Sequence, residues 1–131
     1  MTKYFKLLLL PNLRTGMILT FTCALIICVG KLIPLPQAVD VPGTDKWHHF
    51  LGFAALTYPL TVASRRFWLS IIVFGLLFGA LIEIIQPYVH RFGDIADFTV
   101  NAIGVLIGVS FGVIGYFLKL KSDNLVSQPK Q

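Results

Sequence analysis

The stretch FWLSIIVFGLLFGALIEII, residues 67–85, carries no proline and no charge until Glu83, and it has the length an α-helix needs to cross bilayer hydrocarbon. Three further apolar stretches, 15–33, 47–63 and 98–118, are strung along the same 131 residues. The sequence therefore predicts an all-α membrane protein, a bundle of four transmembrane helices. Each connection is short and neither tail is long enough to fold separately, so residues 1–131 read as a single domain.

Composition agrees. Apolar residues make up 56% of the chain and charged residues 13%, against roughly 25% charged in an ordinary soluble domain. The mean hydropathy is +0.78, which excludes a soluble core. The basic residues set the orientation. Lys3, Lys6 and Arg14 precede the first stretch, Arg65 and Arg66 separate the second from the third, and Lys119, Lys121 and Lys130 follow the fourth. Only Lys31, Lys46 and Arg91 fall on the other side, so the positive-inside bias places both termini in the cytoplasm. The net charge of +5 is then a topology signal. It does not point to nucleic acid, because the basic residues form no stripe with interleaved aromatics.

Lys3 and Lys6 before an apolar run resemble the start of a cleaved signal, but Pro11, Asn12 and Arg14 interrupt the run early. No small-residue cleavage site follows it, so the first helix is expected to be uncleaved. Cys23 and Cys28 lie on that helix, roughly 140° apart around its axis. They are not expected to form a disulfide with each other or a thiolate metal site.

The outward side holds the polar residues. Of the six acidic residues only Asp123 lies with the cytoplasmic segments, while Asp40, Asp45, Glu83, Asp94 and Asp97 gather at the other end with His48, His49 and His90. Such segregation favours an outward-facing polar pocket. Its first element is the entry to the second helix, Thr44 to Phe50. There Thr44 or Asp45 can cap the helix, Trp47 suits the interface, and Asp45 and His49, four apart, share a face. The second is the end of the third helix. Glu83 lies one turn before Pro87, with Gln86 near the same face, so a carboxylate and an amide can meet one ligand. The third is the entry to the fourth helix. Asp94, Asp97 and Asn101 line one stripe there. That stripe runs into Gly104, Gly108 and Gly112, whose four-residue spacing is a helix-packing track within the bundle or between two copies. The tail, residues 121–131, is polar and expected to be disordered.

Asp45-Lys46 followed by His49-Phe50, then Glu83 with Gln86, then Arg91 with Asp94, Asp97, Asn101 and the glycines behind them, resembles the pattern of the VanZ-like family of small bacterial membrane proteins. The resemblance covers residues 44–112, about half the chain. It implies a membrane domain of four or five helices with the polar residues clustered on the extracytoplasmic side. The founding member is associated with low-level resistance to the lipoglycopeptide teicoplanin.

Three mechanisms follow from these residues. In the first, Asp45, Lys46, His49, Glu83, Gln86, Arg91, Asp94, Asp97 and Asn101 form a pocket for the polar part of an amphiphile, a lipoglycopeptide or a lipid-linked envelope precursor. In the second, the charges stitch helices together or dock a membrane partner, a second copy included. In the third, Glu83 or His49 acts as acid or base on a lipid-linked substrate, or Asp94, Asp97 and His49 hold a divalent metal. The chain has no nucleophile motif, no His-x-x-x-His and no phosphate loop, so the expectation leans away from an enzyme and includes no cofactor and no resident metal. Membrane lipids are the expected surroundings.

Overall fold

A backbone crossing hydrocarbon must satisfy its own polar groups, and long apolar runs do so as helices. The computed structural model describes residues 9–33, 44–90 and 93–126, and among these it contains helices and no strand. Four α-helices follow one another: α1 (Leu13–Leu32), α2 (Thr44–Ala63), α3 (Trp68–Ile85) and α4 (Ile95–Val126). Short 3-10 turns, Arg65–Phe67 and Gln86–Val89, precede and follow α3. Asn12 starts α1 by accepting the Thr15 amide at 2.9 Å, a side-chain cap on an amide the helix leaves unpaired. Pro87 removes a donor just after Ile85, where α3 tightens and stops.

Among the described residues three helical segments are long and apolar enough to cross a membrane: Leu13–Leu32, Arg65–Val89 and Ile95–Lys121. The helix α2, the second of the four expected spans, has the length but is less apolar than the others. Its place in the bundle gives the reason. It packs against α4 along its length and against α1 on its other side, and it buries His49, Thr57 and Thr61 beside Phe53, Leu56 and Val62. A helix wrapped by its neighbours faces little lipid and can carry polar side chains.

The wider pattern is inverted relative to a soluble protein. Phe21, Leu69, Leu77, Ile84 and Phe111 face outward, while Thr20, His49, Gln86, Asp97 and Asn101 are buried. The core is Ile27, Phe53, Leu56, Ile82 and Val105.

The α4 glycines seat that helix on α2. A Cβ at Gly104 would stand 2.5 Å from the Phe50 carbonyl oxygen, one at Gly112 2.6 Å from Thr61 Cβ, and one at Gly108 would collide with Ala54 and Thr57. Close approach lets the Thr57 hydroxyl donate across the interface to the Val105 carbonyl at 3.3 Å. The track is thus occupied inside the bundle.

At the end carrying Arg14 and Arg65, the Tyr58 hydroxyl donates to the Leu9 carbonyl at 2.8 Å and Lys119 Nζ to the Pro11 carbonyl at 2.7 Å. The α4 helix runs on to Val126, where the sequence predicted a disordered tail from residue 121. Extending a formed helix avoids the unfavourable nucleation step, which explains the longer element.

Candidate functional site

Three helices meet at the end of the bundle opposite Arg14. From α2 comes His49, 1% exposed; from α4 come Asn101, 1% exposed, and Asp97, 8% exposed; from the last turn of α3 comes Glu83. Asn101 donates its Nδ2 to Glu83 Oε1 at 3.0 Å, and its Oδ1 meets His49 Nδ1 at 2.8 Å. Asn101 presents its amino group to Glu83 and its oxygen to the histidine, and an amide oxygen can only accept. His49 Nδ1 therefore carries a proton. Glu83 Oε1 also lies 3.7 Å from His49 Nδ1, and Asp97 Oδ2 lies 3.6 Å from His49 Nε2. The imidazole is held between carboxylates from two helices, each nearer than 4 Å.

The chain between α3 and α4 folds back over this cluster. Glu83 Oε2 accepts the Asp94 amide at 3.2 Å, and Asp94 Oδ1 in turn accepts the Ala96 amide at 2.9 Å at the start of α4. Gly93 makes the return tight enough: a Cβ there would collide with the Glu83 carbonyl oxygen. His90, at φ 60°, takes the left-handed conformation that ends the preceding turn.

Beside Glu83 and Asp94 opens a groove of about 300 Å³. Its walls are Ala80 and Ile84 from α3 and Ile95 and Phe98 from α4, with Gly93 at its rim. Two carboxylates thus stand among apolar side chains.

The structure brings His49, Glu83, Asp94, Asp97 and Asn101 together. Gln86 is 3% exposed, in the turn after α3; it lies outside the groove, and among the described residues nothing hydrogen-bonds its Oε1. Lys46 and His48 are exposed on the first turns of α2. Asp45 lies in that helix, but its side chain falls outside the described residues, as does the whole of Arg91. Among the described residues no three His, Cys, Asp or Glu are grouped to hold a metal ion. Sequence reasoning passed over Gly93, Ala80 and Phe98. The glycine immediately before Asp94 and the apolar neighbours of Glu83 at helical spacing were the signals available.

These features define a class, a helical protein with membrane-spanning segments and a polar network buried at one end. A family model described as VanZ/LLP1 matches residues 11–118, and the chain belongs to that family. Family and helices together fit a membrane protein. No significant similarity links the chain to a curated protein or to a solved structure.

Proposed function

We propose that the chain is a single-domain, multi-pass protein of the bacterial cytoplasmic membrane whose groove beside Glu83 binds the polar part of an amphiphile. In this reading all four helices cross, both termini are cytoplasmic, and the His49 cluster faces the extracytoplasmic side. The basic residues at the opposite end support that orientation. The observation that carries the function is the groove itself, with Glu83 and Asp94 set among Ile84, Ile95 and Phe98.

The ligand class is a lipid-linked envelope precursor or a lipoglycopeptide, each joining hydroxyl, amide or amine donors to a hydrocarbon tail. Binding a lipoglycopeptide would give protection of the teicoplanin type. Glu83 and Asp94 accept from the head group, while His49 and Asn101 hold Glu83 in place.

Thermal melting of the purified chain against rising teicoplanin, and separately against an undecaprenyl-linked precursor, tests this. A Tm that climbs with concentration for one of them supports the reading; no rise with either overturns it. A structural reading has one observation in its favour, since His49, Asn101 and Glu83 bridge α2, α4 and α3. In that case Tm stays flat with ligand and the network matters for stability alone.

A further inference from the structure

A second cavity lies at the other end of the bundle. The helix α1 packs along α2 and only sparsely on α3, and the gap is a cleft of about 280 Å³ between Met17, Thr20 and Phe21 of α1, Leu60 of α2, and Ile71 and Phe74 of α3. Its lining is almost wholly apolar. In a bilayer such a space is matched by hydrocarbon, because water finds no partners there.

Two observations say which hydrocarbon. Thr20 is 7% exposed, and among the described residues its hydroxyl has no hydrogen-bond partner. A helical threonine ordinarily bonds the carbonyl one turn back, as Thr22 does to Ile18 at 2.9 Å. Basic residues stand near the cleft in sequence, although the guanidinium of Arg65 is turned over the Trp68 ring, 6.0 Å from its centroid. Arg14 stands one turn before Met17 on α1, and Arg65 and Arg66 immediately precede Phe67, another cleft residue; all three arginines are exposed. Thr20 lies about 9 Å beyond Arg14 along the helix axis, on the bilayer side of the arginine.

We propose that this cleft binds one acyl chain of an anionic phospholipid, with Arg14 and Arg66 on the phosphate and the Thr20 hydroxyl donating to an ester oxygen. Basic pockets between membrane helices bind such head groups. Arginine is suited to the phosphate through its paired donors. The site rests on the chain lying in a bilayer and is separate from the Glu83 groove.

The test uses the full chain in non-ionic detergent with phosphatidylglycerol carrying a diazirine in one acyl chain, beside the matching phosphatidylcholine. Labelled peptides are mapped by mass spectrometry. The expected result is labelling of residues 17–24 and 71–74 at least fivefold stronger from phosphatidylglycerol. Arg14→Gln with Arg66→Gln should bring it down to the phosphatidylcholine level, Thr20→Val should lower it in part, and Ser70→Leu, at the cleft wall, should block it. Glu83→Gln leaves it unchanged, which separates this site from the groove. Equal labelling by the two lipids, or labelling spread evenly over outward residues such as Phe111 and Ile114, overturns the proposal.

Discussion

His49 and Asn101, 52 positions apart in the chain, meet through Nδ1 and Oδ1 at 2.8 Å. The contact joins α2 to α4 at a depth where both side chains are sealed from solvent. Replacing Asn101 by Leu leaves the ring proton of His49 and one oxygen of Glu83 without the amide between them. A stranded buried polar group costs about 1–3 kcal/mol. Asn101→Leu should lower stability by that amount, read from unfolding in mixed micelles of rising sodium dodecyl sulfate content; a variant as stable as the parent would show the network to be energetically idle.

Glu83 accepts from Asn101 with one oxygen and from the Asp94 amide with the other. Glutamine offers only one oxygen, so in Glu83→Gln one of those donors faces an amino group. The expected outcome is a loss of about 1–3 kcal/mol together with an amphiphile affinity lowered about tenfold, equivalent to roughly 1.4 kcal/mol. Titration of ligand-dependent Tm measures both. Unchanged affinity would remove Glu83 from the binding site.

Gly93→Ala separates the groove from the bundle. The added methyl would press on the Glu83 carbonyl and push the Asp94 turn outward, while the α2–α4 seam stays as it is. Ligand-dependent stabilisation should fall, with the Tm of the ligand-free protein within a few degrees of the parent. A large fall in the ligand-free Tm would mean that the turn holds the bundle together.

Gly108 and Gly30 make opposite predictions. At Gly108 a Cβ would overlap Ala54 and Thr57, whereas at Gly30 it would meet nothing within 4 Å. Gly108→Ala should cost about 1–3 kcal/mol through overpacking. Gly30→Ala should gain about 0.5–1 kcal/mol from the helix backbone alone. Equal effects from the two changes would contradict the seating of α4 on α2.

Topology is open to direct reading by a membrane-impermeant maleimide. In a chain with Cys23→Ala and Cys28→Ala, Lys46→Cys and His90→Cys should label in intact cells and Ser64→Cys only after permeabilisation. Lys46→Cys behaving like Ser64→Cys would place both ends of α2 on one side.

Most of the helical layout was legible because lipid imposes a coarse rule: apolar runs of spanning length become helices. The pairing of the polar residues was not. Spacing put Asp97 and Asn101 on one stripe, but periodicity tells which face a residue occupies and not which helix it meets. The sequence put Asp45 and His49 on one face; the Asp45 side chain lies outside the described residues, and among those described His49 meets Asn101, Glu83 and Asp97. Gln86 keeps α-helical geometry, its amide bonding the Ile82 carbonyl, and is buried outside the groove beside Glu83. The glycines of α4 announced a close approach; only the fold shows that Ala54, Thr57 and Thr61 receive it.

The burial of α2 has a consequence for how the protein is made. The ribosome delivers α2 before α4, yet α4 supplies Asn101, Asp97 and the Val105 carbonyl that engage the polar groups of α2. Until then a helix bearing His49, Thr57 and Thr61 meets the insertion machinery without its main partner. In the proposed topology α2 gains its full set of polar contacts only once the last helix has been synthesised.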